Sequence, residues 1–358
     1  MSQDAYAVST ADRLKAFLSP SNIGGVYVLL VMIVIFSIWV PDIFPEWDTA
    51  KQIMNTNAIS ALTALALVIP LSTGVFDLSV PYTMTLSGVL CTYAMVNSGQ
   101  PLIVGVIIAM GASVLVGVLN GVVVVVGKID SLIGTLATGF LVQAMVKWRT
   151  GSRNVSGVEL SGSFTNIAQK ASGGLTLPVF YALALATIIW YLLEHTATGR
   201  RIYATGFNKD ATRLASVRTE RLQFGALIVS STLAGFAGVV LASNLGSGSP
   251  TAGTSYLLPA FAAVFLGATQ LKHGRFNAWG TIIAVLILGT GTTGLGLAKV
   301  DQWAQDVFTG VVLIAALALT GFEVRRAGSE SRRARSKRRS ALAGDGQGSP
   351  STTVGTSA

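Results

Sequence analysis

Leu102-Ile-Val-Gly-Val-Ile-Ile-Ala-Met-Gly-Ala-Ser-Val-Leu-Val-Gly-Val-Leu-Asn-Gly-Val-Val-Val-Val-Val126 contains no ionisable side chain. It is longer than the ~20 apolar residues that cross a hydrocarbon core. Hydrocarbon offers the backbone no hydrogen-bond partner, so a helix, which satisfies its peptide groups internally, is the structure such a run takes there. The same solvent preference extends outward. Of 358 residues, 51% are hydrophobic and only 11% charged, against roughly 25% charged in an ordinary soluble domain. Mean hydropathy is +0.62. The chain reads as an all-α, polytopic membrane protein in contact with membrane lipid.

Apolar runs and breakers predict about ten transmembrane helices, near 22–40, 55–71, 80–96, 101–126, 132–147, 177–194, 222–244, 255–270, 276–298 and 303–321. The second and eighth are short and rich in small residues, which suggests tilted, broken or neighbour-buried segments. Three parts follow: an N-terminal segment 1–21, a transmembrane domain 22–322, and a basic tail 323–358. The tail is Arg/Ser/Gly/Thr-rich and is expected to be disordered.

Lys and Arg counts in the connections set the orientation. Arg13 and Lys15 place the N-terminus inside, and an even number of spans then places the tail inside too. Lys128, the stretch 198–221 and Lys272-His-Gly-Arg275 fall on the same side. The outer connection 148–176, with Arg149, Arg153 and Lys170, is the exception. Residues 1–20 lack the pattern of a removable signal peptide.

The net charge of +9 comes largely from the tail, whose Arg325, Arg326, Arg332, Arg333, Arg335, Lys337, Arg338 and Arg339 form a juxtamembrane block. No aromatic residues interleave with these arginines, so nucleic acid is not the expected partner. Cys91 is the one cysteine, and His195 and His273 stand apart at span ends, so neither a disulfide framework nor a metal site is expected. No phosphate-cradling loop of the G-x-x-x-x-G-K-[ST] type occurs, nor any hydrolase or metalloprotease motif. The chain therefore reads as a non-enzyme without a cofactor. Asp77, Asp130, Asp301 and Asp306 sit at span edges or turns, which leaves a proton-coupled carrier without its usual intramembrane carboxylates. If the chain transports a solute, the energy would come from elsewhere.

The stretch Thr198-Gly-Arg-Arg-Ile-Tyr-Ala-Thr-Gly-Phe-Asn-Lys-Asp-Ala-Thr-Arg-Leu-Ala-Ser-Val-Arg-Thr-Glu-Arg221 is the largest polar inner connection, with six basic residues against two acidic ones. Asn208 is suited to cap a short helix by accepting an orphan N–H. Ala211, Leu214 and Ala215 then form one small apolar stripe at i, i+3 and i+4. A solvated connection and a docking helix are both consistent with that pattern.

Four stretches resemble one family. Thr73-Gly-Val-Phe-Asp-Leu-Ser-Val80 is similar to the Gly-Gly-Ile-Asp-Leu-Ser-Val segment of sugar-type ABC importer permeases. Leu119-Asn-Gly121 with Ile133-Gly-Thr-Leu-Ala-Thr138 resembles their L-N-G and T-L-G-T segments. Gly199-Arg-Arg-Ile-Tyr-Ala-Thr-Gly-Phe-Asn208, followed by Ala211 and Leu214-Ala215, resembles their G-R-x-I-Y-A-x-G-x-N-x-x-A-A cytoplasmic loop. Ser249-Pro-Thr-Ala-Gly-Thr-Ser-Tyr256, running on to Ala262-Ala-Val-Phe-Leu-Gly267, resembles their Q-P-x-A-G-x-x-Y…A-A-V-x-L-G-G segment. The order is the family's, from about residue 61 to 321. Departures fall at Val75, Pro81, Thr212, Val217, Leu257 and Pro259.

The resemblance implies a permease subunit of a ribose/xylose/arabinose/galactoside-type importer in a bacterial plasma membrane, both termini cytoplasmic. Its partners would be a cytoplasmic ATP-binding subunit, an extracytoplasmic solute-binding protein and a second permease copy or close paralogue. Gly206, Asn208, Ala211, Leu214 and Ala215 would couple to the ATPase. Candidate path residues are Asp77, Ser79, Asn120, Thr135, Thr251 and Thr254. Against the path reading, Asp77 reads first as a helix-start cap and Asn120 as an interhelical hydrogen bond, while Thr251 and Thr254 read equally as turn residues. A monosaccharide or polyol is the expected cargo; a nucleoside or amino acid importer, an ion-coupled carrier and a membrane scaffold are the alternatives.

Overall fold

The computed structural model describes residues 20–271 and 274–318. The first 19 residues of the N-terminal segment, Lys272, His273 and the tail 323–358 lie outside the described residues. In chain order the long helices are α1 (Pro20–Trp39), α2 (Trp47–Ser72), α3 (Val80–Val96), α4 (Leu102–Gly121), α5 (Ser131–Thr150), α7 (Leu177–His195), α10 (Thr219–Leu245), α11 (Leu257–Leu271), α12 (Ala278–Leu297) and α13 (Gln302–Ala318). Between them stand three shorter helices: α6 (Asn166–Gln169), α8 (Ala197–Phe207) and α9 (Lys209–Leu214). The strands of this all-α chain are β1 (Ala171–Ser172) and β2 (Leu175–Thr176), a small antiparallel hairpin in the connection 151–176.

Every apolar run expected to span coincides with a long helix. Among the described residues, six segments are long and apolar enough to cross a membrane: α2, α4 with its π-helical continuation Val122–Val126, α7, α10, Ala252–Thr269 and α12. Gly24–Trp39, α3 and α13 are apolar but shorter. The chain is thus an all-α polytopic membrane protein.

The second run is not short: α2 has 26 residues, starting in the polar turn with Asp48 and Lys51. It is nevertheless buried by its neighbours. Leu62, Leu65, Leu67 and Val68 are fully enclosed, and α7, α10, α11 and α12 all pack against it. Small residues explain the density of the neighbouring seam, since lipid gives packed helices little hydrophobic advantage and close contact must replace it. A Cβ on Gly88 of α3 would sit 2.8 Å from the Gly238 carbonyl of α10, and one on Gly117 of α4 would sit 2.6 Å from Ile228 Cα of α10. Ser87 donates to the Gly235 carbonyl at 2.8 Å across the α3–α10 seam. Gly117 and Gly121 therefore serve the close helix contact their spacing predicts.

The connections collect at two ends. At one end Gly206 lies on the Ser72–Gly74 turn, Phe76 N–H donates to Ser131 Oγ, and Tyr203 O–H donates to the Phe276 carbonyl. At the other, Val155 bridges Gly248, Asn55 bonds Gly174 and Thr176, and Gln143 donates to the Pro250 carbonyl. There the connection 151–176 is pinned down by Leu160 and Phe164, buried over Cys91, Met95 and Val239, while Ala168 joins the main core.

Candidate functional site

Two polar assemblies stand out. The first occupies the end gathered around Gly206. The stretch expected to be a connection with one short helix is two helices in series. Thr196 caps α8 by accepting from Gly199 N–H at 3.0 Å. Asn208 caps α9 by accepting from Ala211 N–H at 2.9 Å, as its side chain predicts. Thr212 is buried and donates to the Ala204 carbonyl at 2.8 Å, which ties α9 to α8. Ala215 is the C-cap of α9.

On the outside of this pair, Ala211, Leu214 and Ala215 are exposed, Leu214 at 88%. Phe207, which sequence reasoning passed over, is 89% exposed. An aromatic ring standing out from a polar segment was the signal available. A shallow groove of about 540 Å³ separates the two helices, lined by Ala204, Phe207, Ala211 and Ala215 with Arg200 and Arg201 beside them. The six basic residues of the stretch are all exposed. The pair is anchored inward by Ile202 and Thr205, both buried, and by Tyr203. Burial, reinforced by Glu194, pushes the Tyr203 phenol well above its ordinary range, so it remains a neutral donor. Arg275 lies 5.6 Å above its ring. Gly206 faces Ser72 and Gly74 rather than the groove.

The second assembly follows α2. Gly74 takes φ +78°, the left-handed conformation that ends a helix most readily at glycine, and residues 75–79 return toward α3. Pro81, in the first turn of α3, needs no N–H partner there. Asp77 is fully buried; its Oδ1 accepts from Ser79 N–H at 3.0 Å and Ser79 O–H at 2.6 Å. These bonds order the turn just ahead of α3, whose N-cap is Ser79, and do not cap the first turn of the helix as the position of Asp77 predicts. Asn120 donates to Ser79 Oγ at 2.7 Å and to Asp77 Oδ1 at 3.5 Å, the interhelical bond expected of it. Thr135 accepts from Leu78 N–H at 2.9 Å. Asp77, Ser79, Asn120 and Thr135 are thus one buried network. Ser230 of α10, absent from the sequence reading, faces the same carboxylate, but Asp77 Oδ2, Asn120 Oδ1 and Ser230 Oγ keep no hydrogen-bond partner among the described residues.

Thr251 and Thr254 are not part of that network. Thr251 immediately precedes the 3₁₀ segment Ala252–Tyr256 and Thr254 lies within it, donating to the Thr251 carbonyl at 2.7 Å, and both are exposed. The segment runs along α3: a Cβ on Gly248 would meet Thr92 and Val89, and Gly253 N–H donates to Thr85 at 3.2 Å. Irregular backbone therefore lies alongside the apolar helix α3, with hydroxyls facing outward.

Comparison with known proteins fits this architecture. The family described as "Branched-chain amino acid transport system / permease component" matches residues 49–317. The chain belongs to that permease family. Among curated relatives, the ribose import permease protein RbsC of Bacillus subtilis (strain 168) is 32% identical over 291 residues, covering 81% of this chain and 90% of RbsC. RbsC of Haemophilus influenzae is 30% identical over the same shares. The L-arabinose transport system permease protein AraH of Escherichia coli (strain K12) is 32% identical over 294 residues, 82% of this chain and 88% of AraH. No solved structure matches the permease.

Proposed function

We infer that this permease is the transmembrane subunit of an ATP-driven importer and that its cargo is a monosaccharide or related polyol. The observation that carries the coupling is the α8–α9 pair: a doubly capped, internally tied body that presents Phe207 and Leu214 to solvent within a ring of basic residues. Such a body can be gripped and moved as a unit by a cytoplasmic ATP-binding subunit through Phe207, Asn208, Ala211, Leu214 and Ala215, with Gly206 behind them. The cargo reading rests on relatives named for ribose, D-allose and L-arabinose, which match over nine-tenths or nearly so of their own length. The family's description, which names branched-chain amino acid transport, favours a second reading, an amino acid importer.

In the proposed threading the chain crosses ten times, with both termini and α8–α9 in the cytoplasm of a bacterial cell and the connection 151–176 outside. The segregation of connections into two ends supports it, and so does the basic character of the α8–α9 end. Solute would arrive from an extracytoplasmic binding protein and pass between two copies of the permease. Thr251 and Thr254 would line that passage, because lipid does not accept exposed irregular backbone at membrane depth whereas a water-filled cavity or a second copy does. Asp77, Ser79, Asn120 and Thr135 would border it from the inner side.

The test is reconstitution of the permease with its ATPase and binding protein in proteoliposomes. ATP-dependent uptake of labelled pentose, competed by unlabelled sugars and not by leucine or nucleosides, is expected. Competition by leucine alone would favour the amino acid reading, and uptake without the ATPase would favour an ion-coupled carrier.

A further inference from the structure

We propose that Gly206 and Gly74 form the joint through which movement of the α8–α9 pair reaches the buried Asp77 network, so that Gly206 is a positioning residue for transport rather than a docking one. This rests on the coupling role just assigned to α8–α9. Phe207 and Gly206 are adjacent but serve opposite directions. Phe207 stands out into solvent, while a Cβ on Gly206 would run into the Ser72 carbonyl and lie 3.3 Å from Gly74 N. From the other side, a Cβ on Gly74 would lie 3.5 Å from Gly206 Cα. Two backbones therefore touch with no side chain between them, and packed backbone transmits displacement where a flexible side chain would absorb it.

The touched turn is not free to yield locally. Gln223 of α10 donates to the Thr73 carbonyl at 3.3 Å, Ser131 accepts from Phe76 N–H at 3.2 Å, and Thr135 accepts from Leu78 N–H. Pushing on Gly74 therefore shifts residues 75–79 against the starts of α3, α5 and α10 together. The network those residues carry has room to answer: Asp77 Oδ2, Asn120 Oδ1 and Ser230 Oγ are enclosed with no partner among the described residues. Buried polar atoms are ordinarily paired, so an alternative arrangement in which they pair is available to a displaced turn. The α8–α9 pair is stiff enough to deliver the push, since Thr212 locks one helix to the other and Tyr203 holds the pair to Phe276.

The experiment compares the parent permease with Gly206→Ala and Gln223→Leu in proteoliposomes containing the ATPase and binding protein. Three quantities are read: capture of the ATPase by the permease, ATP hydrolysis, and uptake of labelled pentose. Gly206→Ala is expected to capture the ATPase at the parent level, yet to take up solute at least about tenfold more slowly and to lose solute-stimulated hydrolysis; tenfold corresponds to ~1.4 kcal/mol. Gln223→Leu adds no bulk at the joint but frees the turn from α10; it is expected to show the same split more mildly. It decides the matter if the alanine variant does not fold. Uptake and stimulated hydrolysis at the parent rate in Gly206→Ala, or in Gln223→Leu where the former cannot be purified, would overturn the joint. Loss of ATPase capture in a folded Gly206→Ala variant would also overturn it, by making Gly206 a docking residue. Failure of the parent permease itself to capture the ATPase would instead sink the coupling role of α8–α9, and the joint with it.

Discussion

Asn120 and Ser79 are joined by a 2.7 Å hydrogen bond across 41 residues of sequence, and both side chains are fully enclosed. The bond fixes the lower part of α4 to the start of α3 through the residue that Asp77 also holds.

Removing the amide should therefore cost more than one hydrogen bond. Asn120→Leu leaves the buried Ser79 Oγ without its donor and takes the weakest of three donors from Asp77 Oδ1, a penalty of about 2 kcal/mol. The expected outcome is a lower melting temperature in detergent, with Asn120→Gln intermediate. An unchanged melting curve for Asn120→Leu would show that the network is not a structural clamp.

The outer face of α8–α9 should behave in the opposite way. Phe207 and Leu214 have almost no protein contacts to lose, so Phe207→Ser and Leu214→Asp should leave melting unchanged. If they are anchors for the ATPase, each should weaken its capture by about 2 kcal/mol, roughly thirtyfold. Titrating labelled ATPase onto immobilised permease measures both variants against the parent.

Asn208→Ala removes a helix cap worth ~1 kcal/mol. Amide exchange in residues 209–214 should accelerate while the transmembrane helices stay protected, and Asn208→Asp should restore protection. Equal exchange in the parent and Asn208→Ala would mean that the Thr212 bond to the Ala204 carbonyl of α8 holds α9 without the cap.

Two glycines on one helix provide a packing contrast. At Gly117 a leucine would drive into the α10 backbone, whereas at Gly111 no atom lies within 4 Å of an added Cβ. Gly117→Leu should cost 1–3 kcal/mol or more and sharply lower the yield of monodisperse protein. Gly111→Leu should purify like the parent, as size-exclusion profiles would report.

The helices were legible because their solvent is unusual: a run such as 102–126 has few ways to satisfy its backbone in lipid other than coiling. The cap at Asn208 was legible because its side chain and the orphan N–H it accepts from lie within three residues of each other. Helix α8 was not legible. Thr198, Gly199 and Gly206 are poor helix formers, and what holds the helix is tertiary: Gly199 lets its backbone approach the Leu192 and Leu193 carbonyls at the end of α7, while Ile202 and Thr205 are buried. Ser230 was invisible for a related reason. A serine in a long apolar helix looks like any small packing residue until the fold brings a carboxylate from 153 positions earlier alongside it.

Helix α5 wears its chemistry inside out. Leu132, Ile133, Phe140, Leu141, Met145 and Trp148 face outward, while Thr135, Thr138 and Gln143 face the bundle. Averaged along its length, the helix falls short of the apolarity of its long neighbours, yet the greasy side is the one presented to the surroundings. Its two faces should therefore differ in mutational tolerance. The outward positions ask only for oiliness and can drift among many residues, whereas each inward position holds a specific shape or hydrogen bond. A saturation scan would find the permissive letters on the side that a water-soluble protein would protect.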